Sequence, residues 1–201
     1  PLVYFSFKID TSKLYVFYFI FFLICFQGFI GWYMVKSGLI NRVDVSHFRL
    51  SIHLIIAFII LSLILWNYLK IKLIPNIQNK INPIIPFLFL ILVFIQIIIG
   101  AFVSGMDAGK IYNSWPLMGN EYFPDDNNFE ALFKFSAFSD PSLVQFIHRN
   151  LAYIIGIFYL AILVKVFKNK IENLYKPVKY LGFFILLQII LGIFTVLYGA
   201  Q

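Results

Sequence analysis

The chain has one cysteine, Cys25, and it lies inside an apolar run. A single thiol excludes both a disulfide framework and a thiolate metal cluster. Charge is scarce too: 12% of the 201 residues are charged, and only nine are acidic. There is no phosphate loop, no Cys-x-x-Cys pair, no His-Glu-x-x-His helix and no serine elbow, so the commonest sequence-readable catalytic sites are missing. The acidic residues fall between apolar segments rather than in pairs inside them, which speaks against a proton-coupled carrier.

What the chain does have is apolar surface: 61% of its residues are hydrophobic, and the mean hydropathy is +0.88. A bilayer is the solvent in which such a composition is stable. The net charge of +7 does not point to nucleic acid here. The lysines lie mostly in short connections between apolar segments, where they set orientation against membrane lipid.

Five segments are long enough to cross about 30 Å of hydrocarbon as helices: 14–35, 50–69, 84–104, 143–166 and 177–198. Many of their residues are β-branched, yet an isolated span in lipid must satisfy its own backbone, so helix wins. The ten-residue alternation of a transmembrane β-barrel is missing. The expected fold is an all-α, polytopic transmembrane helical bundle forming one membrane domain over 1–201. A cleaved signal peptide is not expected, because the first apolar run is long and further spans follow it.

Lys and Arg divide ten against six between alternate sides. The richer side takes Lys8, Lys13, Lys70, Lys72, Lys80, Lys165, Lys168, Lys170, Lys176 and Lys179. That places the amino end of a multi-pass protein in the cytoplasm or its equivalent. The connection 105–142 then lies outside, and His53 and His148 sit toward the outer leaflet, near the amino ends of their helices.

Three spans repeat one short pattern: Gln27-Gly-Phe-Ile-Gly31, Gln96-Ile-Ile-Ile-Gly100 and Gln188-Ile-Ile-Leu-Gly192. Residues four apart share a helical face, so each copy sets an amide beside a bare patch of backbone. One copy reads as ordinary small-residue packing, whereas three in similar places suggest a duplicated unit.

An ionisable residue inside a span is a functional candidate by default. His53 is followed on its face by Ala57, and His148 by Ala152 and Gly156, leaving room for a flat group beside each imidazole. Haem iron is commonly held by axial histidine, and a porphyrin fits between helices of a bundle. Arg149, at the water boundary, has a shape suited to a propionate. The alternative is a histidine hydrogen-bonded to a neighbouring helix, and both readings stay open on residues alone. His47, six residues before His53, is off that face and reads as solvated or interfacial. In the 105–119 loop, Ile111, Tyr112, Trp115 and Met118 could lid the bundle, and 129–138 reads as a short amphipathic helix at the membrane surface.

Several of these stretches together resemble one family. They are Gly31-Trp-Tyr-Met-Val-Lys-Ser-Gly38, Val45-Ser-His-Phe-Arg-Leu-Ser-Ile-His53, Gly100-Ala-Phe-Val-Ser-Gly-Met-Asp-Ala-Gly109, Tyr112-Asn-Ser-Trp-Pro-Leu-Met-Gly119 and Gln145-Phe-Ile-His-Arg149. In order, over essentially the whole chain, they are similar to haem A synthase of the alphaproteobacterial and mitochondrial branch. The resemblance implies two four-helix halves related by duplication, each holding a haem between two histidines. It implies an oxidoreductase that turns the C8 methyl group of haem O into a formyl group, making haem A for cytochrome oxidase. Haem O is the implied substrate and haem b the implied cofactor. The implied partners are haem O synthase and an electron donor of unspecified identity, and a homo-oligomer is open.

Carried over residue by residue, His53 is an axial ligand of the substrate half (1–70 here). His148 is an axial ligand of the haem b half (84–201), with Arg149 as propionate partner. The family's carboxylate, in a Glu-x-x-His segment, would precede Pro1, so no catalytic residue is assigned within the chain. Its fourth histidine would follow Tyr198. The resemblance thus implies helices three to seven of eight, a fragment inactive alone. Two other readings stand beside it: a b-type haem electron carrier without oxidation chemistry, and a haem-free transporter or assembly factor.

Overall fold

A computed structural model describes residues 14–38, 45–72 and 81–199. The cations at 8, 13, 42 and 80, used above to set orientation, lie outside the described residues, as do both chain ends. Five helices in the described residues are long and apolar enough to cross a membrane, and no strand occurs among them. They are α1 (Leu14–Gly38), α2 (His47–Lys72), α3 (Ile84–Gly105), α4 (Pro141–Lys168) and α5 (Tyr175–Leu197). The expected all-α architecture is the one found. The chain divides into two compact units, between residues 76 and 77.

The first unit is the pair α1 and α2. Apolar residues surround both helices, and few are buried: Ile20, Ser51 and Ile60. Along α1, Phe22, Phe26, Phe29 and Trp32 form a ladder of rings 5.9–6.4 Å apart at i+3 and i+4 spacing. Their exposure fits a surface whose solvent is hydrocarbon. Lys36 lies 4.8 Å from the Trp32 ring, and Lys70 5.2 Å from the Trp66 ring. Both are amphipathic pairs of the kind that mark an interface.

The second unit packs α3 and α5 against α4. Its core is Phe89, Ile155, Ile162, Val166, Ile171 and Val178. Tyr159 on α4 reaches over Gly182 on α5, where an added Cβ would collide with its ring. Its hydroxyl donates to the Val178 carbonyl at 3.3 Å. Small residues let helices approach where burial from lipid supplies little drive.

Helices α2, α4 and α5 begin two or three residues earlier than the apolar runs, whereas α1 and α3 begin with them. Asp140 caps α4 by accepting from the Leu143 amide at 3.0 Å, and Pro141 takes the first position, where its missing N–H costs nothing. His47 opens α2, with its ring 4.2 Å from that of Phe48. Hydropathy marks what lies in lipid, whereas capping marks where the helix starts. The segment expected to be one amphipathic helix is two 3₁₀ turns, Phe129–Phe133 and Phe135–Ser139. Lys134 between them is extended, and this breaks the helical repeat.

Candidate functional site

Each unit contains the same three-residue contact. In the first, the Gln27 side-chain nitrogen is 2.9 Å from the main-chain oxygen of His53 and 3.2 Å from Nε2 of its ring. In the second, the Gln96 nitrogen is 3.2 Å from the His148 main-chain oxygen and 3.3 Å from its Nε2. The glycine one turn on completes the contact. A Cβ added to Gly31 would come within 3.1 Å of His53 Cε1, and one added to Gly100 within 3.1 Å of His148 Cε1. The imidazole therefore rests on bare helix backbone in both units. Any side chain there would push the ring away.

Because the amide nitrogen faces a carbonyl, its two hydrogens are shared between that oxygen and the ring, and Nε2 is the acceptor. Within these two contacts four polar atoms are then buried without a hydrogen-bond partner: Nδ1 of His53, Nδ1 of His148, Oε1 of Gln27 and Oε1 of Gln96. Orphaned buried polar atoms are uncommon and call for a reason. Among the described residues no three His, Cys, Asp or Glu side chains gather to hold a bare metal ion.

The third copy of the pattern has no such contact. Gln188 is exposed, and a Cβ at Gly192 would meet nothing within 4 Å. One turn below His148 an apolar groove of about 910 Å³ opens between α4 and α5, lined by Ala152, Gly156, Leu163, Gly182 and Leu186 among others. The small residues that follow His148 on its face thus border open space.

Arg149 is committed to the loop. NH1 donates to the carbonyls of Ser114 (2.9 Å) and Leu117 (3.3 Å), and NH2 to that of Tyr112 (3.0 Å). Nε is buried and without a partner. Gln145, one turn earlier, also donates to Tyr112 O at 3.0 Å. The loop closes over this end of α4: Met118 is 1% exposed, Trp115 Nε1 donates to the Tyr153 hydroxyl at 2.9 Å, and Tyr122 donates to Asn150 at 2.5 Å. Ile111 and Trp115 remain exposed, so Met118 is the lid's inward anchor.

At the loop's outer edge, Tyr112 donates to Asp125, and Ser142 donates to Asp126 at 2.5 Å. Partial burial, with the Asp125 carboxylate beside it, pushes the Tyr112 phenol up to about 12. Desolvation would raise the Asp126 carboxyl, but hydrogen bonds from Ser142, Asn127 and Tyr112 outweigh it and hold it below its ordinary value.

Both histidines and Arg149 were legible as candidates, but each in isolation. The glutamines were noted as a repeat and not as histidine partners. The available signal was order: a Gln-x-x-x-Gly helix immediately precedes each histidine helix.

Comparison with known proteins follows the same lines. Residues 1–201 match the family model COX15-CtaA, described as cytochrome oxidase assembly protein. Heme A synthase of Pelagibacter ubique is 45% identical over 203 residues, covering 100% of this chain and 60% of that protein. Heme A synthase of Rickettsia bellii is 43% identical over 208 residues, covering 98% and 61%, and that of Rickettsia felis 40% over 206, covering 99% and 61%. The chain spans about three-fifths of the length of these relatives. No solved structure matches it. With five helices able to span a bilayer and a family match over its whole length, the chain is a multi-pass membrane protein belonging to the cytochrome oxidase assembly protein family.

Proposed function

We propose that the chain is part of a haem A synthase, a membrane oxidoreductase that converts the C8 methyl group of haem O to a formyl group for cytochrome oxidase. The observation that carries this reading is the duplicated contact. Two imidazoles, each resting on glycine and each presenting Nε2 to a glutamine amide across its helix pair, suit a flat iron-bearing ligand. In this reading His53 would hold the haem iron in the substrate half and His148 the haem iron in the haem b half. Those halves correspond to 1–70 and 84–201. Bound haem b supplies one-electron transfer.

The chain's own residues orient and exclude. Gly31 and Gly100 keep side chains clear of Cε1 of each ring. The 105–142 loop, outside the membrane in this reading, screens the outer end of α4 from water through Arg149, Gln145 and Met118. Nε of Arg149 and the second N–H of Nη2 are the donors left for a propionate, since three of the five guanidinium N–H groups go to carbonyls. No catalytic residue is assigned in this chain. The amino end faces the cytoplasm of a bacterial inner membrane.

Extraction of pigment from the purified protein tests the reading. Haem b together with haem O or haem A supports it. Haem b alone would make the protein an electron carrier, and a colourless protein would end the assignment. His53→Ala and His148→Ala should each abolish one of two haem absorbance components and leave the other.

A further inference from the structure

A neutral imidazole has one lone pair to offer, because its other nitrogen carries the proton. In both units that lone pair, on Nε2, is already taken by a glutamine amide hydrogen, at 3.2 Å in one and 3.3 Å in the other. Nδ1 then holds the proton and is buried without an acceptor. As arranged, neither histidine can ligate a metal until its glutamine withdraws. The amide need not leave altogether, since its second hydrogen is on the histidine's own carbonyl, at 2.9 and 3.2 Å.

We propose that Gln27 and Gln96 are placeholder residues that occupy the metal's position on each ring while the site is empty and give way when it fills. This rests on the haem reading above and adds the residue that competes for the ligand atom. The donor satisfies the lone pair of a half-buried imidazole and holds it aimed across the helix pair, where an unsatisfied lone pair would carry a desolvation penalty. The same contact appears twice, once within each unit. It is missing at Gln188, the copy of the motif that has no histidine against its glycine.

A placeholder stabilises only the empty state, so its removal should tighten haem binding. An orienting partner of the bound ligand would do the reverse, because loss of such partners typically weakens metal affinity about 10–100-fold. The experiment is a titration with haem b of the protein stripped of haem in lipid nanodiscs, comparing wild type, Gln96→Leu and Gln188→Leu. Gln96→Met serves if the leucine variant misfolds. Loss of one net hydrogen bond should lower the dissociation constant roughly 2–10-fold at the His148 site. The empty protein should melt a few degrees lower, with melting of the loaded protein unchanged.

Binding weakened tenfold or more would overturn the proposal in favour of an orienting role. Unchanged binding, or equal tightening by Gln188→Leu, would overturn it as well. If His148→Ala binds haem b as wild type does, the haem reading itself fails, and that result does not depend on any glutamine variant.

Discussion

The α1–α2 pair and the α3–α5 unit hold the same histidine contact to within 0.3 Å in their corresponding distances, but they enclose it differently. In the first unit Arg49 lies 5.2 Å from the Tyr33 ring, and among the described residues of the pair Ile20, Ser51 and Ile60 are buried. Around His148 the helix mouth is sealed by a loop bound to Arg149 and Gln145, and a core of six buried side chains lies between the helices. In both units the contact joins two helices in register, and in the second a loop adds hydrogen bonds over the helix mouth. Packing the ring against glycine is local geometry. Closing the mouth takes long-range hydrogen bonds from residues 28 to 37 positions away.

That difference can be broken at Arg149. Arg149→Ala leaves the Ser114 and Leu117 carbonyls without this donor. It should cost roughly 2–3 kcal/mol in the second unit, the usual range for lost charged hydrogen bonds at a half-buried site. Faster amide exchange across 106–140 is the expected readout. Unaltered protection there would mean the loop is held by its apolar anchors alone.

A smaller effect sharpens the shared part. Alanine in place of a mid-helix glycine gains about 0.5–1 kcal/mol in helix propensity, and Gly192→Ala, which meets nothing, should show that gain as a higher melting temperature. Gly100→Ala and Gly31→Ala push a methyl to 3.1 Å from an imidazole carbon. They should lose about 1–3 kcal/mol relative to it through overpacking. Equal melting for all three variants would show that the rings do not depend on glycine.

The smallest expected effect is pH dependence confined to the loop. Asp126 is held below its ordinary carboxylate value, so its contribution is present at neutral pH and lost as the pH falls through that lowered range. Tyr112 is raised from 10.0 to about 12, so its contribution is present below pH 10.0 and lost as the pH rises toward about 12. Both groups are largely solvated, so loosening of the loop at the two extremes should be slight. Tyr112→Phe should remove the alkaline limb, with tyrosine absorbance following the titration.

Much of this was legible in the residues, because in lipid the backbone must pair with itself and apolar length alone then dictates helices. The two histidines stood out for the cost of a polar group in such a span. What stayed hidden depended on residues far apart in the chain. Gln27 and His53 are 26 positions apart, and Gln96 and His148 52 apart, so no periodicity within one helix could pair them. Arg149 read as a propionate partner on shape alone, and its hold on three carbonyls depends on how the 112–117 turn folds back. The 129–138 stretch has an amphipathic composition, yet the extended backbone at Lys134 splits it.

By itself, then, the sequence determined the solvent, the helices and the residue types able to bind an iron ligand, since each follows from composition and spacing along a single segment. Only the tertiary structure decided which amide meets which imidazole and which carbonyls the arginine holds. Those contacts exist only when separate helices pack in one register, and the free energy that selects the register belongs to the pair rather than to either strand of sequence.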